Sequence, residues 1–153
     1  MTRRELTIVV ITVLVMCVPI SILAYQNKQL SDMPSAVFDW NDVKAVKIKT
    51  GEKRQFFDSP TATLDHIECH VSTLNPGETA HPPHQHPEEE LTIVKEGTVE
   101  VLVNGELKKA GTGSIIFSAA NQLHNIKNAG TTPATYYAIK WKTAKTQNAV
   151  KPN

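Results

Sequence analysis

Between Gly77 and Gly97 the chain carries His81-Pro-Pro-His84-Gln-His86-Pro-Glu88-Glu89-Glu90, which sets two imidazoles one residue apart and a carboxylate four residues after the second. Neutral imidazole and carboxylate both suit divalent first-row transition ions, provided the fold brings the donors to about 2 Å from a common point. On an extended segment His84 and His86 have the same parity and project to one side. A turn at Pro87 then returns Glu90 to that side. Of the three glutamates, spacing favours Glu90, because Glu88 falls in the turn and Glu89 faces away. His124 stands further along and is expected from a neighbouring strand, which completes the donor set His84, His86, Glu90 and His124. His81 has the opposite parity and reads as loop. The bland alternative for the whole segment is a solvated, polyproline-like loop with incidental imidazoles.

Donors spread along the chain need a rigid scaffold, and the pattern after residue 42 is one of strands. Charged and apolar residues alternate over 43–49, and Arg54-Gln55-Phe56-Phe57 forms a second short stretch. From Asp65 to Leu74 one face carries Ile67, Cys69 and Val71 and the other His66, Glu68, His70 and Ser72, a period of two that predicts a strand. Residues 90–94 and 98–103 are expected to turn at Glu96-Gly97. Asn104-Gly105, the strongest short hairpin signal, turns the chain into 106–109. Strands are also expected near 114–117, 124–127 and 135–142. With nine or ten short strands, frequent turn residues and no amphipathic helix beyond the leader, the expectation is one all-β sandwich or barrel. In the last strand Tyr136, Ala138 and Lys140 share one face and Tyr137, Ile139 and Trp141 the other; sequence alone does not choose the inward one. His70 is a candidate to support the site or touch a substrate, and Asn128 reads as a hydrogen-bonding turn residue.

At 153 residues and 41% hydrophobic content the chain can bury one core. Its net charge is +1, and without Arg3, Arg4 and Glu5 the remaining 14 basic residues balance 14 acidic ones, so no field favours nucleic acid. Cys17 lies in the apolar leader, which leaves Cys69 alone in the body and precludes a disulfide within it. The uncharged apolar run from Leu6 to Ala24 follows Arg3-Arg4 and must meet a membrane. It is long for a signal peptide, whose apolar region spans about 7–15 residues, and just sufficient for a membrane helix of about 20. A cleaved leader ending near Ile22-Leu23-Ala24 and a retained N-terminal hydrophobic helix both remain open. The basic N-terminus favours a cytoplasmic start, so either way the body is expected to be exported, to the periplasm or another extracytoplasmic space. The expected division is 1–25 signal peptide or anchor, 26–61 linker and N-terminal strands, 62–142 barrel, and 143–153 polar tail.

The arrangement His84-x-His86-x3-Glu90-x6-Gly97, with Gly77 upstream, resembles the first motif of the cupin superfamily. Gly113-x5-Ala119-x-Asn121-x2-His124-x3-Asn128 resembles its second. The resemblance covers about half the chain, from Ile67 to Trp141. The first-motif glycine sits one residue farther back than the family's pattern, and Ala119 and Asn121 replace its usual proline and glycine. Asn121 tolerates a left-handed backbone, which preserves the turn. By resemblance, the fold is a small single-domain double-stranded β-helix, a jelly-roll barrel, and His84, His86, Glu90 and His124 bind one divalent transition metal: Fe, Mn, Ni, Zn or Cu. A six-coordinate ion held this way keeps two open positions. A small molecule with a hydroxyl beside a carbonyl or carboxylate would chelate there and, if the Glu90 ligand loosens, lose a proton to Glu90, the expected catalytic group. The implied function is therefore a metal-dependent enzyme of dioxygenase, isomerase or lyase type. The alternative is a non-catalytic binding module for a small sugar, acid or metal. Early strands in similar proteins often pair across a dimer, so a homodimer is also an expectation, as is membrane contact through an uncleaved N-terminal segment.

Overall fold

Nine short strands with an antiparallel ladder make up the ordered body of the computed structural model, which describes residues 32–146 together with Arg3, Arg4, Leu6, Thr7, Ile11, Thr12, Val13, Val15 and Cys17. The expected leader or anchor therefore lies largely outside the described residues. Among the described residues no helix is long and apolar enough to cross a membrane.

The stretches of period two become β1 (Val46–Ile48), β2 (Gly51–Ser59), β3 (His66–Leu74), β4 (Glu89–Glu96), β5 (Thr98–Val103), β6 (Glu106–Gly111), β7 (Ile115–Ser118), β8 (Ile126–Asn128) and β9 (Ala134–Lys142). They form a six-stranded sheet in the order β1-β2-β3-β9-β4-β7 and a three-stranded sheet in the order β6-β5-β8. The early strands pair within the chain, β1 on β2 and β2 on β3. Asn104 (φ 52°) and Gly105 (φ 80°) are both left-handed, as a two-residue turn matching the twist of the β5–β6 hairpin requires. Gly97 (φ 86°) joins β4 to β5 where space is as restrictive as conformation: a Cβ there would lie 2.8 Å from the Ala134 Cα.

The two sheets close over Leu74, Val94, Val99, Val101, Ile126 and Ala134, with Tyr136 and Ala138 completing the buried cluster. Fully buried side chains such as Leu74 and Val99 each contribute about 1.5–3 kcal/mol relative to exposure. The opposite face of the large sheet is also apolar. There Val71, Cys69 and Ile67 of β3 stand in register with Tyr137, Ile139 and Trp141 of β9. An aromatic layer lies on this outer side. The Trp40 ring, from the segment before β1, is 6.1 Å from Phe56 and 6.4 Å from Tyr137, and Phe38 is 5.1 Å from Phe57. The Lys95 ammonium sits 3.5 Å and the Arg54 guanidinium 4.7 Å from the Trp40 ring centre, which attracts both cations.

Candidate metal centre

Two segments far apart in sequence meet at one end of the barrel. Residues 77–86 run antiparallel to 121–128: Gly77 N–H donates to the Asn128 carbonyl, Asn128 N–H to Glu78, and Ala80 N–H to Ile126. Nearer the cavity His84 and His124 exchange both backbone bonds, at 3.0 and 2.9 Å, and Asn121 N–H donates to the His86 carbonyl at 2.8 Å. Asn121 makes that contact with φ 59°, the left-handed conformation its side chain tolerates. Asn128 is 1% exposed; its amide donates to the Leu74 and Thr132 carbonyls and accepts from Gly130 N–H. It is a structural clamp, as expected.

These links bring three imidazoles together. One ring nitrogen each from His84, His86 and His124 lies within 4.8 Å of the other two. Nδ1 of His84, His86 and His124 faces a backbone carbonyl, of Pro82 at 3.3 Å, Glu88 at 3.1 Å and Gln122 at 2.8 Å respectively. A carbonyl only accepts, so Nδ1 carries the proton in each ring and Nε2 keeps its lone pair. The Nε2 atoms of His86 and His124 are buried without a hydrogen-bond partner. Buried acceptors left unpaired are costly, and metal-ligating histidines characteristically bind a carbonyl or carboxylate through their other nitrogen. Nitrogens bound to one ion at about 2 Å are at most about 4 Å apart, so loading requires only a small closure of the rings. The donor set fits a divalent transition ion.

The three glutamates separate as their spacing suggests. Glu90 Oε2 is 3.6 Å from His86 Nε2, and its Oε1 accepts from the Thr92 hydroxyl at 3.2 Å. Glu88 lies on the other side of the same ring, 3.4 Å from Nδ1, and pairs with Lys142 at 2.9 Å. Glu89 faces away and accepts from the Trp141 indole. Burial alone would raise the Glu90 pKa, but the close approach of His86 and the charge of the nearby imidazoles hold it below the usual carboxylate range. The same approach raises His86. Burial, followed by the charge of its histidine neighbours, lowers His84.

The sequence profile that describes the cupin domain matches residues 70–140. Residues 70–140 are a cupin domain. No curated protein matches the chain closely in sequence. Solved cupin-type barrels resemble it in fold. KdgF from Halomonas sp. has a TM-score of 0.61 at 14% identity, with 73% of this chain and 99% of that one covered. An RmlC-like cupin from Shewanella frigidimarina scores 0.58 at 16%, covering 72% and 95%. The polyketide cyclase RemF from Streptomyces resistomycificus scores 0.57 at 21%, covering 71% and 80%.

In this cupin domain the histidines and Glu90 open on a cavity of about 280 Å³. His81 reaches it too: the residue lies in the loop as expected, yet its ring meets His84 edge-on at 4.6 Å. Tyr136, Ala138 and Lys140 form the inward face of β9, and His70 and Ser72 that of β3, with Lys53 of β2 beside them. Of these, Lys53, Tyr136 and Lys140 were not assignable from sequence. For Tyr136 and Lys140 the signal was the parity they share with Ala138, and it was masked because the opposite face of β9 is the more apolar; Lys53, on β2, had no such signal.

Proposed function

We propose that the chain is an exported, metal-dependent enzyme acting on a small oxygenated molecule, of dioxygenase, isomerase or lyase type. The observation that carries the reading is the shared orientation of three imidazoles, each with Nδ1 on a backbone carbonyl, with two buried Nε2 atoms unpaired beside the cavity they line. His84, His86 and His124 would hold the ion, with Glu90 as the fourth ligand. A divalent transition metal there supplies Lewis acidity or redox chemistry. Glu90, ionised and buried beside His86, accepts a proton from a substrate hydroxyl or from carbon next to a carbonyl. Tyr136 holds its proton firmly because it is buried, and it offers a neutral O–H on the inward face. Val101, Ile116, Ile126 and Ala138 supply apolar wall that limits competing water.

Two fold neighbours are named as a polyketide cyclase and a predicted oxalate decarboxylase from Thermotoga maritima. At 21% and 19% identity they support the reading only in what this barrel is able to host. Export rests on the apolar run after Arg3 and Arg4, with 1–25 as leader or anchor, 26–61 as linker and arm, 62–142 as the barrel and 143–153 as the tail. Outside the cytoplasm a nitrogen-rich site takes what is available, which favours zinc or copper on affinity.

The test is metal analysis of the purified full chain followed by a screen of small oxygenated compounds for oxygen uptake or product. One equivalent of metal is expected, and His84→Ala or His124→Ala should weaken binding by more than the roughly 10–100-fold typical of losing a supporting partner, with circular dichroism unchanged. A metal-loaded protein that binds such compounds saturably but turns none over would be a binding module, and the enzyme reading would fall.

A further inference from the structure

The inward rows of the large sheet place a second polar cluster in the same cavity. Lys140 of β9 is in register with Glu68 of β3 on one side and with Glu90 of β4 on the other, so one cross-strand row runs from Glu68 through Lys140 to Glu90. Lys140 Nζ is 2.8 Å from Glu68 Oε2, and Lys53 Nζ and His70 Nδ1 lie 3.5 and 3.0 Å from Glu68 Oε1. Lys53, His70 and Lys140 line the cavity and Glu68 does not. The carboxylate is thus behind the wall, 7% exposed, and the three nitrogen-bearing heads are in it.

We propose that Lys53, His70 and Lys140 form a carboxylate subsite, so that the cavity takes a small hydroxy or oxo acid with its anionic end on these residues and its oxygenated end toward the histidines. This rests on the reading of His84, His86 and His124 as a metal centre.

Glu68 positions the heads rather than satisfying them. A lysine ammonium has three donors, and Glu68 occupies one from each lysine, which leaves the others for a ligand. Charge points the same way. Burial works against the Lys140 charge but its bond to Glu68 outweighs this and raises its pKa. Burial and then the charge of Lys53 lower the His70 pKa, which favours the neutral ring. With Nδ1–H directed at Glu68, its Nε2 is an acceptor suited to a hydroxyl. Within the cluster two ammonium groups face one carboxylate, and in the loaded chain the Glu90 charge beyond Lys140 is offset by the ion, so the single positive charge left at this end matches one carboxylate better than a phosphate dianion. No arginine lines the cavity to grip a phosphate in two-pronged fashion. The volume of about 280 Å³ lies just below the usual range of ligand pockets, about 300 to 1,000 Å³, and suits a small ligand.

The experiment titrates the metal-loaded full chain calorimetrically with malate, its neutral diamide malamide, and glycerol 3-phosphate. Malate is expected to bind best, and Lys140→Met and Lys53→Met should each weaken it about tenfold without changing metal content or malamide binding. Should Lys140→Met disturb folding by stranding Glu68, the double variant Lys140→Met/Glu68→Gln removes both charges and carries the same expectation. The proposal is overturned if malate does not bind saturably, if it binds the folded lysine variants within twofold of the parent, or if the phosphate ester binds more tightly. Should the parent chain hold no metal, the metal centre fails instead. The subsite is then read separately from the His70 ring resonances, which malate should shift in the metal-free protein; no shift would overturn the subsite as well.

Discussion

The peptide groups of His84 and His124 hold each other in both directions, N–H to carbonyl at 3.0 and 2.9 Å. Paired residues on adjacent strands direct their side chains to the same side, and the two rings accordingly stand 4.6 Å apart. The bond from Asn121 N–H to the His86 carbonyl ties the third ring to the same loop. Backbone, not metal, therefore brings the donors together, which preorganises the site.

Asn121 is the residue on which that arrangement depends most economically. Its φ of 59° costs an ordinary L residue about 1–2 kcal/mol. Asn121→Gly should keep the turn and the metal affinity, whereas Asn121→Val should lose about 1–2 kcal/mol of stability and weaken metal binding by displacing His86 and His124. Chemical denaturation and chelator competition on both variants check this; equal behaviour of the two would show that the left-handed turn does not matter.

Glu68 makes stability depend on acidity in a defined window. Burial would raise its pKa, but the Lys140 hydrogen bond, with the charges of Lys140, His70 and Lys53, brings it from the ordinary 4.5 down to about 2. A folded-state pKa below the unfolded one adds stability that is fully present above the unfolded value and is lost as pH falls through the folded one. Stability should therefore decline between about pH 5 and pH 2. Glu68→Gln should be less stable at pH 7 yet show a shallower decline across that range, as measured by urea midpoints at a series of pH values.

Asn128 clamps β8 to the end of β3 and the turn before β9 through three bonds to Leu74, Thr132 and Gly130. Asn128→Ala orphans two carbonyls and an N–H in a buried place, where each unsatisfied group costs about 1–3 kcal/mol. A net loss of about 3 kcal/mol is expected, seen as a lower denaturation midpoint with unchanged slope. A loss under about 0.5 kcal/mol would show that water replaces the amide.

Strand placement and the meeting of His84, His86 and His124 were legible in the sequence because both depend on local periodicity and spacing. Asn104-Gly105 turns where a left-handed dipeptide should, and Glu90 is separated from Glu89 by parity and from Glu88 by the turn at Pro87. The inward faces of β3 and β9 were not legible. The usual rule puts the apolar face inside, yet here Val71, Cys69, Tyr137 and Ile139 face away from the cavity, while Glu68, His70, Tyr136 and Lys140 lie on its side. The rule fails because the apolar face is met by an aromatic layer from Trp40, Phe56 and Tyr137, contacts made across long sequence separations that no window of residues records.

That aromatic layer has a consequence for how the protein can change. Much of the large sheet's apolar anchorage is on its back, so the polar residues His70, Ser72 and Lys140 on the front are relieved of holding the sheet together. These polar positions can be exchanged one at a time while Trp40 and Tyr137 keep the strands in place. A barrel organised in this way is suited to acquiring new ligands by substitution within a single row, without passing through unfolded intermediates in its history or in the hands of a designer.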